Sequence, residues 1–193
     1  VHDGILYLTN PANVIQALDA SEGTLLWEYR REFAEDFSPG GFNHLRNLAI
    51  YSGKIFVATK DAYMVALDAR TGETVWETQI ADYHKGYRNV SGPIVVEGKV
   101  INGINGCTRF FEESCFITAH DAQTGEELWR TQLSGEALAI PNSNGTIAVF
   151  QTQDGHVVAL ATEGGEIKWS VSIGQDEWIS QVLECNGTII AHS

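Results

Sequence analysis

Two thiols a short loop apart, Cys107 and Cys115, can bridge in an oxidising compartment. With Cys185 they make three cysteines, too few for a disulfide-built scaffold, and three free thiols in a reducing compartment is the alternative. Glu112 and Glu113 form a carboxylate pair between the two thiols and read first as a solvated loop. The six histidines are scattered. No His-Glu-x-x-His, Cys-x-x-Cys, Gly-x-Ser-x-Gly or phosphate-binding loop occurs, so hydrolase, zinc and nucleotide chemistry have no starting point.

The elements that must position these residues are announced by a repeat. The line Ala17-Leu18-Asp19-Ala20-Ser21-Glu22-Gly23, running on to Trp27, returns as Ala66-Leu67-Asp68-Ala69-Arg70-Thr71-Gly72 with Trp76. It returns again as Ala119-His120-Asp121 through Gly125 to Trp129, and as Ala159-Leu160-Ala161 through Gly165 to Trp169. Its chemistry is that of a β-hairpin: the Asp carboxylate accepts turn amides and the Gly supplies a left-handed conformation. The fourth copy has lost the Asp at Ala161, and His120 occupies a Leu position, where a core or strand role is expected. A second turn precedes each apolar run, at Gly4, Gly53, Gly98, Gly145 and Gly187. Two of these turns, Asn144-Gly145-Thr146 and Asn186-Gly187-Thr188, also match the glycosylation sequon but read as hairpins.

Naming strands A to D from the inside outward, each unit runs A, Gly turn, B, loop, C, Asp-Gly turn, D. That is the four-stranded antiparallel meander of a β-propeller blade, and the Trp intervals of 49, 53 and 40 residues lie close to the roughly 40–50 of blade repeats. The fold class expected is all-β: about four blades in one domain, with units at 1–33, 34–82, 83–133, 134–175 and a partial 176–193. Such sheets cannot bury both faces alone, so Trp27, Trp76, Trp129 and Trp169 are expected to pack between neighbouring blades. The ends fall out of phase with the repeat, the chain opening at the end of an A strand and closing just after a B strand.

Composition agrees. Of 193 residues 44% are hydrophobic, with 19 glycines against 4 prolines, enough for one core rich in tight turns. Twenty-five acidic against twelve basic residues leave a net charge of −13, which repels phosphate backbones and anionic lipids, so no nucleic-acid partner is expected. No apolar run approaches the roughly 20 residues of a membrane span, and Val1-His2-Asp3-Gly4 lacks the features of a signal peptide.

From Gly41-Phe42-Asn43-His44-Leu45-Arg46-Asn47 through Ser91-Gly92-Pro93 to Ile104-Asn105-Gly106-Cys107-Thr108-Arg109, the sequence resembles the pyrroloquinoline quinone (PQQ)-dependent alcohol dehydrogenases, over residues 1 to about 131. The resemblance implies a periplasmic eight-bladed ring with PQQ and a calcium or lanthanide ion on its axis, of which this chain supplies half. It places Arg46 on the quinone oxygens, where a guanidinium favours a developing oxyanion. It places Asn105, Gly106 and Cys107 in the segment that passes the cofactor. Thr108 stands where many members carry a metal-binding glutamate, a much weaker ligand for a hard cation, so no metal ligand is assigned. Glu112 or Glu113 is the available substitute. Gly40 and Gly41 replace the family's vicinal cysteines, and its catalytic aspartate and stacking tryptophan have no counterpart here.

After about Thr131, the segments Leu133-Ser134-Gly135-Glu136-Ala137 and Val149-Phe150-Gln151-Thr152-Gln153-Asp154-Gly155 are more similar to the propeller lipoprotein of the outer-membrane barrel-assembly machinery. Natural recombination, a divergent blade and a fusion of two propeller fragments all fit that change. The sequence thus supports two functions: part of a quinoprotein dehydrogenase, incomplete for catalysis alone, or a non-catalytic propeller scaffold. In either case an open half-ring is expected to close as a homodimer, with a compact four-bladed monomer as the rival.

Overall fold

The structure is a computed structural model that describes residues 1–38, 47–89, 92–107, 114–137, 142–174, 181–185 and 188–192. Among the described residues seventeen strands form five antiparallel sheets. Blade 1 has β1 (Ile5–Asn10), β2 (Val14–Asp19) and β3 (Leu25–Arg30). Blade 2 is complete, with β4 (Ala49–Tyr51), β5 (Lys54–Ala58), β6 (Tyr63–Asp68) and β7 (Thr74–Gln79). Blade 3 has β8 (Ile94–Val96), β9 (Lys99–Gly103), β10 (Cys115–Asp121) and β11 (Glu127–Leu133). Blade 4 has β12 (Asn142–Ser143), β13 (Ile147–Thr152), β14 (His156–Ala161) and β15 (Ile167–Ser172), and a last pair, β16 (Gln181–Cys185) and β17 (Thr188–His192), follows. The innermost strands meet, β4 on β8 and β12 on β16, so the blades fan around one side of an axis.

Each Asp-Gly turn closes as its composition dictates. The Asp68 carboxylate accepts the amides of Arg70 (2.8 Å) and Thr71 (2.9 Å), and Asp121 accepts those of Gln123 and Thr124, both at 2.8 Å. These bonds favour the charged form, holding Asp68 and Asp121 below the usual carboxylate range. Blade 4 keeps the backbone bond from Gly165 N to Ala161 O without the carboxylate.

The four tryptophans sit opposite alanines, Ala17, Ala66, Ala119 and Ala159, and next to each pair the register slips by one residue. That β-bulge leaves Leu26, Val75, Leu128 and Lys168 without a cross-strand partner, and the three apolar ones are about half exposed. Bulges bend a strand and raise its twist. Three indoles then reach the next blade: Trp27 Nε1 donates to Ala69 O (3.1 Å), Trp76 to Ala122 O (3.3 Å) and Trp129 to Thr162 O (3.1 Å). Their rings lie on Gly72, Gly125 and Gly165, where an added Cβ would stand 2.5–2.6 Å from Trp Cε3. Phe56, Met64, Ile101, Ile117, Phe150 and Leu160 fill the space between blades 2, 3 and 4.

Cys107 and Cys115 are disulfide-bonded with Cα atoms 5.3 Å apart, joining the end of the β9 segment to the start of β10. Both are buried against Tyr87 and Phe116.

Two outcomes follow. Gly125→Ala loses about 2–5 kcal/mol of unfolding free energy in denaturant, from left-handed strain and overpacking against Trp76, whereas Gly53→Ala, at a similar φ (+72° against +77°) but in open space, loses only about 1–2 kcal/mol. Equal losses would show that the indole contact carries nothing. For the disulfide, non-reducing peptide mapping should return a linked 107/115 fragment, and the Cys107→Ser/Cys115→Ser variant should lose about 2–3 kcal/mol.

Candidate functional site

In a four-stranded meander the A–B and C–D turns lie along one edge and the B–C and D–A loops along the other. Of the residues singled out for cofactor chemistry, Asn105, Gly106 and Cys107 are described, and they follow β9 on the second edge, the loop face. Arg46, Thr108, Glu112, Glu113, Gly40 and Gly41 lie outside the described residues.

Asn105 is buried and pinned by its own backbone, exchanging both amide bonds with Arg88 (2.8 and 2.9 Å). Its Nδ2 donates to Ala137 O at 2.7 Å, while its buried Oδ1 has no partner among the described residues. Gly106 has φ +83°, and a Cβ there would stand 2.1 Å from Gly86 O, so the close approach it permits is to the chain itself. Its N–H donates to Glu136 Oε1 (3.0 Å). Cys107, fully buried, is held by the disulfide. The segment is therefore a rigid floor rather than a loose loop.

Around it the loop face carries cations and amides that the sequence reading did not select. Lys60 is buried, and burial together with the neighbouring Arg88 charge pushes its ammonium below the usual lysine range. Arg88 Nη1 donates to Tyr83 O and Tyr87 O, and its guanidinium stacks on Phe37 at 4.8 Å. Asn89 Nδ2 donates to Thr59 O (2.9 Å) and Tyr63 O (3.3 Å), fixing the B–C turn that carries Lys60. In that turn Asp61 binds Arg31 Nη2 at 2.9 Å and accepts Thr59 Oγ1 at 2.6 Å. Burial opposes the Arg31 charge, but Asp61 and Glu77 more than offset it and raise the guanidinium further.

Farther out, His84 sits between two carboxylates, Nε2 to Asp36 Oδ2 and Nδ1 to Asp82 Oδ1, both at 2.8 Å. Donating from both nitrogens requires the imidazolium, and Asp36 first, then Asp82, raises its basicity. The staple ties the D–A loop after blade 1 to the one after blade 2. Part of this was readable: Thr59-Lys60-Asp61-Ala62 has a second copy in Thr152-Gln153-Asp154-Gly155, where Thr152 Oγ1 again donates to the Asp, at 2.5 Å. Arg31, Asp36, His84 and Arg88 belong to no repeat, and nothing in their spacing flags them.

Chemically, the face carries the cations Lys60 and Arg88 beside a buried amide oxygen, Asn105 Oδ1, that has no partner among the described residues, while the amide N–H groups of Asn89, Asn105 and Gly106 already donate within the chain. Among the described residues no three His, Cys, Asp or Glu side chains come together to hold a metal ion.

Comparison with known proteins places this geometry. Residues 1–132 match the family described as the glucose/ethanol/alcohol dehydrogenase β-propeller domain, and residues 112–183 match outer membrane protein assembly factor BamB. A quinohemoprotein alcohol dehydrogenase, ADH-IIG of Pseudomonas putida, is 34% identical over 86% of this chain and 23% of its own length. The chain spans about a quarter of the length of such relatives. Among solved structures, a europium-containing methanol dehydrogenase superposes with TM-score 0.82 over 99% of this chain and 45% of that one, at 20% identity. BamB from Moraxella catarrhalis superposes with TM-score 0.53 over 100% of this chain and 68% of its own, at 17% identity. The blades, the loop face and the match over residues 1–132 together make this chain a member of the glucose/ethanol/alcohol dehydrogenase β-propeller family.

Proposed function

We propose that the chain supplies four blades of an eight-bladed quinoprotein alcohol dehydrogenase ring and one wall of its PQQ pocket, without the full catalytic set. The observation that carries this is the coincidence of the family match with the loop face, where Asn105, Gly106 and Cys107 form a buried floor beside Lys60 and Arg88. PQQ accepts the two electrons of alcohol oxidation. The chain's part is to bind it: Arg46 toward the quinone oxygens, and Lys60 and Arg88 as counter-charges to its carboxylates. With Thr108 in place of a carboxylate, a calcium or lanthanide ion would need a ligand from elsewhere. The disulfide at a buried position supports a periplasmic location, since such bonds persist in oxidising compartments.

Titrating PQQ into the protein and following tryptophan quenching tests the reading. Saturable quenching that weakens at least tenfold in Arg46→Ala is expected, with no alcohol-dependent dye reduction when calcium is added. Turnover by the chain alone would overturn the incompleteness. Absence of PQQ binding would favour the second reading, a non-catalytic scaffold, which rests on the BamB match over residues 112–183.

We propose further that this 193-residue polypeptide, on its own, closes its ring as a homodimer. Three indoles each find a Gly turn on the next blade, whereas an added Cβ at Gly23 meets nothing within 4 Å and Trp169 Nε1 has no acceptor among the described residues. Seating Trp169 of each copy on the Gly23 turn of the other satisfies both, and a two-fold axis closes the assembly. Light scattering should give twice the 21.2 kDa of one chain, falling toward one chain in Trp169→Ala. A single-chain mass for the unaltered protein at micromolar concentration would favour the four-bladed monomer.

A further inference from the structure

One blade breaks the chemistry of its own repeat. On the face that blade 3 turns toward blade 2, Asn102, Thr118 and His120 stand where blades 2 and 4 carry Val57 and Phe150, Val65 and Val158, and Leu67 and Leu160. The register sets Asn102 directly opposite Thr118, and His120 follows two residues along the same strand, so all three share one face. None is more than 1% exposed, and blade 2 presents Phe56, Met64 and Ala66 to them.

The hydrogen bonds that are made fix what is left over. Asn102 Nδ2 donates to Asn89 Oδ1 (2.9 Å) and Gly103 O (3.0 Å), and since a backbone carbonyl only accepts, the amide cannot be turned round. His120 Nδ1 faces Gly125 O at 3.2 Å and must carry the proton. Burial pushes the imidazole below its usual range, so Nε2 is a bare acceptor. Asn102 Oδ1, Thr118 Oγ1 and His120 Nε2 are all buried and unpartnered among the described residues. Two of these atoms only accept, and the single hydroxyl can donate to one of them at most. Buried polar groups without partners are rare in folded proteins. The smallest species that donates twice and accepts is water. A cation would need charged ligands to offset its lost hydration, and these three donors are neutral.

We propose that the junction between blades 2 and 3 encloses ordered water bridging Asn102 Oδ1, Thr118 Oγ1 and His120 Nε2. This water holds the Asn102 amide in the orientation that engages Asn89, and Asn89 in turn props the Thr59–Tyr63 turn on the loop face. Hydration deep between two blades thus supports the placement of Lys60 and Asp61.

Atomic-resolution diffraction from the unaltered protein should show solvent density about 2.7–3.2 Å from His120 Nε2. A dry junction overturns the proposal. In solution, oxygen-17 relaxation dispersion counts long-lived internal waters. The Thr118→Val/His120→Leu variant, which restores the residues of the other blades, should lose at least one of them. An unchanged count in the folded variant would also overturn it.

Discussion

The packing of one indole on one glycine turn is the contact on which the rest of this molecule depends. A lone four-stranded sheet has two apolar faces and no means of choosing the angle to its neighbour. Here the choice is made by a flat ring that fits only over a turn residue without a Cβ, and by an N–H that finds the carbonyl three residues before it. The bulge beside each Trp re-aims the strand so that the ring leaves its own sheet. Where Thr replaces a side chain two positions on, its hydroxyl adds a bond to the same turn, Thr78 to Gly125 O at 2.8 Å and Thr131 to Gly165 O at 2.6 Å. Each junction is thus over-determined by shape and by hydrogen bonding together.

The opposite edge of the blades is joined by different means. Among the described residues no indole reaches the loop face, and many of the contacts there are polar: Arg31 with Asp61 and Glu77, His84 between Asp36 and Asp82, Asn89 on Thr59, Asn105 on Ala137. Arg31 and Asp61 are almost fully enclosed, so removing either partner would strand a charge, whereas the exposed His84 staple is screened by solvent. The indole junctions lie at the turn edge, and the loop edge holds the charged pairs.

This division explains what the sequence discloses. Turn and Trp recur because each junction solves the same problem, so blade order, strand count and the inter-blade role of Trp27, Trp76 and Trp129 are readable from self-comparison alone. The bulge is not, because the extra residue, Leu26 or Val75, is apolar like its neighbours and looks like one more core position. Long-range loop-face pairs such as Arg31–Asp61 and Asp36–His84 join residues 30 and 48 positions apart with no period to betray them. Only Asp61 left a trace, through the second Thr-x-Asp at Thr152 and Asp154. Gly106 shows a further limit: the resemblance places it in the segment that passes the cofactor, but that the group a Cβ there would meet is the Gly86 carbonyl follows only from the fold.

Blade 3 is where two family resemblances overlap, residues 112–132 belonging to both matches, and the junction chemistry explains how such a change is accommodated. Trp129, within the shared stretch, donates to Thr162 O and covers Gly165 of blade 4 in the same way that Trp27 and Trp76 treat their own neighbours. Blade 4 has lost the turn carboxylate at Ala161, yet the bond from Gly165 N to Ala161 O keeps the turn closed and the glycine in place. What the incoming indole requires is an absent Cβ and one carbonyl, not the Asp. Blade 4, which falls in the second match, therefore docks on blade 3 through the glycine and the carbonyl that the other junctions use.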